Sequence, residues 1–502
     1  MKILWIDDEI DLLKPFIYLL QKEGYEVKTA TSGEDGVQLA TSEVFDLIFL
    51  DEIMPGVDGL EVLRKIKNEN AQQLVVMVTK SEEESLMTQA YGGWVDDYIT
   101  KPFSFNQLLS VLNRTLKRRV IIGEKMAEEY ATQFRSLVTP TDYAEWIEYY
   151  KNIVSWDLRL LEFGGKELKN LQEEKKREAN VGFVKYIESV YRDFLRGQGP
   201  TLSNTLFSQI IFPLLREGQV NVLLFDSMRL DQYFKLLPYM RDYFEVSTQF
   251  YYSILPTATP YSRNAFFAGL LPLEICQKFP QYWTFEEKGQ NRFEKNLFIE
   301  QLKRHNLRIK FAFYKLSSIA EIDKNIKQIA RETADITIVI VNFFDLLIHS
   351  IPGRGDMKGV LDDERVLLNL LGFWFPISPL FELFKDLAKK GSRVTLTSDH
   401  GFIRVRRPTI VYGGRAISPN LRYKYGPALR TDSKTALLLN NPGEIYLPSD
   451  DPSVRFAIAK EDYYFIYPTK PTEYEREFKY TFQHGGISME EMILPFATMK
   501  SR

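Results

Sequence analysis

Along the first 118 positions, apolar residues come in short runs separated by longer stretches of mixed character. Ile3–Ile6, Val27–Ala30, Leu47–Leu50, Leu74–Val78 and Tyr98–Ile99 have the length and side-chain content of strands. Leu12–Gln21, Glu34–Thr41 and Gly59–Lys67 carry apolar positions at helical spacing. Strand and helix in alternation predict a parallel sheet covered by helices on both faces. From 119 to 215 the pattern changes to charged, amphipathic segments, Gly123–Ser136, Asp142–Leu161, Lys166–Arg177 and Val184–Arg196. Asp142 and Glu145 stand in capping-box positions before Trp146, Ile147, Tyr150, Ile153 and Trp156, which share one helix face. Beyond 216 the alternation returns on a larger scale. Val220–Phe225, Ile336–Phe344 and Arg393–Thr397 are β-branched runs suited to strands buried on both faces, and an aspartate closely follows each. The predicted fold class is α/β: a five-stranded parallel, doubly wound domain over 1–118, a helical bundle over 119–215 and a larger α/β domain over 216–502.

A chain of 502 residues fits that division, at roughly 150 residues per domain. A net charge of -3 provides no global field to recruit nucleic acid or an anionic membrane. The cationic stretch Arg404-Val-Arg-Arg407 is read as solvated surface. With Cys276 as the one cysteine, neither an intrachain disulfide nor a thiolate cluster can form, so any metal falls to histidine and carboxylate. The chain opens on a strand-like run followed by acids, unlike a signal peptide, and no apolar run approaches the ~20 residues that span a bilayer. A cytoplasmic protein without membrane insertion is expected.

Asp7, Asp8, Asp51, Thr79 and Lys101 each fall at or just past the C-terminal end of an expected strand, the edge where open α/β sheets build ligand sites. Converging carboxylates repel one another unless a divalent cation intervenes, and oxygen ligands favour Mg²⁺. A hydroxyl and an ammonium beside them suit a phosphoryl group. On Asp7-Asp8-Glu9, Asp51-Glu-Ile-Met-Pro-Gly-Val-Asp-Gly59 and Asp97-Tyr-Ile-Thr-Lys101-Pro-Phe103, residues 1–118 resemble the CheY-like receiver domains of two-component signalling. The resemblance implies a sensor histidine kinase as partner and Asp51 as phosphoryl acceptor. It also implies Mg²⁺ on Asp7, Asp8, Asp51 and the Ile53 carbonyl, Thr79 and Lys101 on the phosphoryl oxygens, Tyr98 as the moving aromatic, and a homodimer on phosphorylation. Lys80 departs from the family, which carries a small residue there.

Of the four histidines, His349, His400 and His484 lie beside carboxylates or glycines in expected loops, while His305 sits in a charged helical segment. Imidazole with Asp345 and Asp399, and no thiolate, suits a catalytic zinc site with open coordination. Asp226 ends a further apolar run. Pro260 fits the first turn of a helix, which places Thr259 at a helix N-terminus, either as a cap or as a nucleophile, with Thr257 in the same turn. This ordered set resembles the alkaline phosphatase superfamily, and within it the PglZ domain. The resemblance implies a three-layer α/β/α fold and two Zn²⁺ ions. Asp226, Thr259, Asp399 and His400 would hold one ion, and Asp345, His349 and His484 the other. Thr259 would be the nucleophile of a phosphodiesterase acting on a nucleotide-like phosphodiester, with Arg229 or Arg263 clamping a phosphoryl oxygen. Receiver, helical middle and PglZ domain together resemble the PorX-type response regulators of the type IX secretion system. The alternative is a phosphorylation-gated module with structural zinc that contacts a transcription factor or secretion component. Direct DNA binding is not expected, since no basic recognition helix is evident.

Overall fold

The computed structural model describes residues 1–56, 58–70, 73–80, 95–136, 138–163, 166–285, 289–342, 364–413, 418–469 and 471–502. They fall into two compact units, Met1–Leu137 with Arg159–Lys169, and Val138–Leu158 with Asn170–Arg502.

Alternate residues of a strand face opposite sides of its sheet, so an uninterrupted apolar run serves two cores at once. The first unit is built this way from β1 (Lys2–Ile6), β2 (Glu26–Ala30), β3 (Leu47–Asp51), β4 (Val75–Thr79) and β5 (Asp97–Thr100), all parallel, in the order β2-β1-β3-β4-β5. Ile3, Trp5, Leu47, Phe49, Val76 and Val78 pack with Ile10 and Leu13 of α1 (Ile10–Lys22) on one face. Leu4, Ile6, Ile48, Leu50, Val75 and Met77 pack on the other, beside α2 (Gly33–Ser42) and with Val62, Leu63 and Ile66 of α3 (Gly59–Glu69). Leu108, Val111 and Leu112 of α4 (Phe105–Ser136) close the first face. Because α4 is continuous, the position expected to end the first domain falls inside a helix.

The helical middle consists of the end of α4 with α5 (Tyr143–Phe163) and α6 (Lys166–Leu195), divided between the two units. Asp142 caps α5 as expected: its Oδ1 accepts the Ala144 and Glu145 N–H groups at 2.8 and 2.9 Å. The sequence pattern breaks α6 in two near Gly182, yet the helix runs through. A β-carbon at 182 would stand 3.1 Å from the Trp146 ring, so this glycine admits the indole of α5 instead of ending the helix.

In the second unit β6 (Val220–Phe225) is followed by α7 (Leu230–Arg241), β7 (Phe244–Tyr252), α8 (Thr259–Ala268), α9 (Pro272–Lys278), α10 (Glu294–Arg304), β8 (Phe311–Leu316), α11 (Ile319–Arg331) and β9 (Ile336–Val341). Then come α12 (Glu364–Trp374), α13 (Pro379–Lys389), β10 (Arg393–Thr397) and, after shorter strands, the C-terminal strand Ile493–Ser501. The sheet order is β7, the C-terminal strand, β10, β6, β9, β8. Its last four strands are parallel, and the C-terminal strand runs antiparallel to both neighbours. Val220, Val222, Leu224, Ile336, Ile338 and Ile340 meet Phe266, Phe267, Leu297 and Phe298 of α8 and α10. On the opposite face the Phe225 and Phe384 rings meet edge to face at 6.3 Å. No single helix among the described residues is long and apolar enough to cross a membrane.

Candidate functional site

Strand register sets the first constellation. Ile6 pairs with Leu50, Asp51 with Val78 and Thr79 with Thr100, so the residues that end or follow these parallel strands emerge level at one edge. Asp7, Asp8 and Asp51 each bring a carboxylate oxygen within 4.8 Å of the others. Lys101 Nζ donates to Asp7 Oδ2 at 2.8 Å and to Asp51 Oδ1 at 3.0 Å. Burial pushes the Asp51 carboxyl above its ordinary range and Asp7's charge adds to this, with Lys101 opposing. Three carboxylates, two of them paired with Lys101, form the oxygen-rich, negatively charged donor set that a hard divalent cation takes. Gly59 is needed here, since its β-carbon would lie 2.2 Å from the Asp51 carbonyl oxygen. The Thr79 hydroxyl bonds to the Glu52 carboxylate, and Ile53 and Tyr98 are exposed. Lys80 points outward, 3.9 Å from Glu9.

The same logic operates in the second unit. Leu224 pairs with Thr397, so Asp226, just past β6, and Asp399, two residues past β10, leave the sheet side by side. Ser227 takes a left-handed conformation, φ 60°, which turns the chain sharply behind Asp226 and presents the Ser227 N–H to Asp399 Oδ1 at 3.3 Å. Asp226, Asp399 and His400 each offer a ligand atom within 4.8 Å of the others. The His400 ring is fully buried. Its Nδ1 lies 3.0 Å from the Gly401 carbonyl and takes the donor role there, which leaves the Nε2 lone pair for the site. The His484 ring stacks on it with centroids 4.3 Å apart, and His484 Nδ1 is buried without a hydrogen-bond partner. Burial, helped by His400, pulls the His484 imidazolium down to about 3, so this ring is neutral at physiological pH. An orphaned imidazole nitrogen beside two carboxylates and a second imidazole fits a metal ion.

Thr259 is not a cap. Ala258 occupies the N-cap position of α8, and the Thr259 hydroxyl lies 3.0 Å from His400 Nε2. Thr257 is engaged elsewhere: its hydroxyl donates to the Gly486 carbonyl at 2.8 Å and accepts the Gly485 N–H at 3.2 Å. Asp345 and His349 lie outside the described residues. His305, closing α10, packs edge-on against Phe212.

The two arginines expected as phosphoryl clamps both pair with carboxylates. The buried Arg263 guanidinium pairs with Asp226, with Asp399 at 2.9 Å and with Glu294 at 3.6 Å, so it orients the site carboxylates from behind. Burial acts to raise the Asp226 carboxyl, but Arg263 and His400 outweigh it and hold it below the usual range. Arg229 is bound on two sides by Asp231 and donates to Glu364 at 2.8 Å, with its guanidinium over the Phe402 ring. Both were read from proximity in sequence, which does not show that Glu364 and Glu294 also reach them in space. The stretch Arg404-Val-Arg-Arg407 is paired too: Arg406 meets Glu173, and Arg407 meets Glu461 and Asp462. Sequence reasoning missed the fully buried pair of Arg422 with Glu491, whose Oε1 accepts the Gly486 N–H at 2.8 Å. No local signal joins residues so far apart.

Residues 3–113 match the response regulator receiver domain, residues 120–195 the PorX response regulator linker domain, and residues 206–499 the BREX system PglZ alkaline phosphatase-like domain. The last match covers more than half of the chain. Response regulator ArlR of Staphylococcus aureus, in strains Mu50 / ATCC 700699 and MW2, is 35% identical over 119 residues, covering 24% of this chain and 53% of ArlR. The chain thus spans about half the length of the curated relatives it matches. Among solved structures, a two-component response regulator from Clostridium difficile is 29% identical, covering 24% of this chain and 97% of that one, with a TM-score of 0.22. TrrA of Thermotoga maritima, solved with Mg²⁺ and BeF, is 32% identical, covering 23% and 98%, with a TM-score of 0.21.

Proposed function

This chain belongs to the PglZ alkaline phosphatase-like family and is a PorX-type response regulator, and from that premise we propose a signalling protein phosphorylated on Asp51 whose output is a zinc-dependent phosphodiesterase. In this reading residues 1–118 receive the phosphoryl group, 119–215 link, and 216–502 hydrolyse. A sensor histidine kinase is the phosphodonor, and type IX protein secretion is the process regulated. Asp7, Asp8, Asp51 and the Ile53 carbonyl would hold Mg²⁺.

The observation that carries the hydrolase reading is the Thr259 hydroxyl, free of any capping bond and 3.0 Å from His400 Nε2, beside Asp226 and Asp399. Zinc bound by these residues, with Asp345, His349 and His484 around a second ion, would supply the positive charge that acidifies a hydroxyl and offsets charge on phosphoryl oxygens. The protein's own groups account for the rest. Thr259 stands at position N1 of α8, at the positive end of the helix dipole, which favours a bound phosphoryl anion. Thr259 Oγ1 gives up its proton to solvent and attacks phosphorus as the bond to the leaving alcohol breaks, and that alcohol departs with a proton from solvent. Water then cleaves the phosphothreonine and restores the hydroxyl. Arg263 keeps Asp226 ionised and orients both Asp226 and Asp399 throughout.

Zinc-loaded full-length protein is expected to hydrolyse bis(p-nitrophenyl) phosphate. Thr259→Ala should lose on the order of 100-fold or more in kcat, whereas Thr257→Ala keeps the larger part of it. Wild-type turnover no greater than that of Thr259→Ala would refute the enzymatic reading.

A further inference from the structure

Helix α6 supplies none of the candidate ligands, yet its buried polar residues converge on the short turn that holds both histidine loops. Asn180, almost fully buried, uses both ends of its amide on that turn: Nδ2 donates to Glu490 Oε2 at 2.9 Å, and Oδ1 accepts the Met489 N–H at 2.9 Å. One helical turn earlier, Lys176 Nζ lies 3.3 Å from Asp157, 3.1 Å from Glu364 and 3.7 Å from Glu490. Glu364 also receives Arg229, three residues beyond Asp226.

The turn Ser488–Met492 passes this anchorage on. Ser488 caps it, accepting the Glu491 N–H at 3.2 Å and donating to Glu491 Oε2 at 2.7 Å. Glu491 accepts the Gly486 N–H through Oε1 at 2.8 Å and the Gly401 N–H through its carbonyl at 3.1 Å. Gly486 lies two residues past His484, and Gly401 directly follows His400 and accepts from its ring. Neighbouring residues of one turn therefore grip the linker helix on one side and both histidine loops on the other. Such loops hold ligands in place only while their supporting shell stays within about 0.5 Å.

We propose that Asn180 and Lys176 are positioning residues for the metal site: by fixing Met489 and Glu490 they set where Glu491 holds the loops of His400 and His484. This inference rests on the hydrolase reading only in naming zinc as the metal. Its test measures zinc affinity of the full chain by competition with a chromophoric chelator, with thermal unfolding of the metal-free protein in parallel and kcat on bis(p-nitrophenyl) phosphate as a second readout. Asn180→Ala and Lys176→Met should each weaken zinc binding by ~10- to 100-fold, while the metal-free protein remains folded. Lys176→Arg, which keeps the charge, should stay within about threefold of wild type. If Lys176→Met does not fold, Asn180→Ala decides alone. A loss below ~10-fold in folded Asn180→Ala overturns the proposal, as does a loss no greater than the fraction unfolded. Wild type that binds zinc without turning over substrate defeats the hydrolase reading and leaves the affinity comparison decisive. Wild type that binds no zinc defeats both.

Discussion

A β-carbon at position 401 would stand 1.9 Å from the Glu490 carbonyl oxygen, far inside contact distance, and the obstacle is backbone, which cannot swing aside. Only glycine lets the His400 loop lie on the turn that supports it. Gly401→Ala is therefore expected to destabilise the second unit by about 2 kcal/mol or more, seen as a lower urea midpoint for the transition that melts it. A wild-type midpoint would mean that the loop and turn can separate freely. The same scale shows what was readable beforehand. Asp226 and Asp399 could be picked from the chain because an acid just beyond a β-branched run must leave a buried strand at its end. Thr257 and Thr259 could not be told apart, being two hydroxyls in one turn. Their roles separate only because Gly485 and Gly486, more than two hundred residues away, bind the first and not the second.

At the level of elements, strands buried on both faces were legible and others were not. β7 and β8 are edge strands of their sheet, with partly exposed faces, and their polar residues interrupt the apolar run that marked β6, β9 and β10. The C-terminal strand is buried but contains Pro495, which argues against a strand in any local reading. Glu43, closing α2, ties that helix to two strands by accepting Lys2 at 2.6 Å and Lys28 at 2.5 Å. These bonds, that of Lys2 foremost, hold its carboxyl below the ordinary range. The folded state thus binds this proton less tightly than the unfolded chain does. The resulting stability is present above the ordinary glutamate pKa and is lost as pH falls through the depressed one. Urea midpoints of the first unit should be higher for wild type than for Glu43→Gln near neutrality, and the gap should close as the pH is lowered below the ordinary glutamate range. A gap that is constant with pH would show that the pair contributes nothing through ionisation.

At the scale of the whole molecule, the acidic pocket around Asp51 and the histidine site belong to separate units. Beryllofluoride with Mg²⁺ is expected to double the mass measured by light scattering, and Asp51→Ala should abolish the change. An unchanged mass for wild type would exclude dimerisation as the response. The order of strands, helices and acidic strand ends was enough to determine the α/β class and most of the candidate ligands, because burial on both faces and periodicity are local properties of a chain. The tertiary structure alone decided which hydroxyl faces His400, that Arg229 and Arg263 pair with carboxylates, and that Asn180, Lys176 and Glu491 are tied to the histidine loops through one short turn. Those assignments depend on which charges and polar groups end up buried together, and a buried ion selects its partner by distance in space, which residue order does not encode.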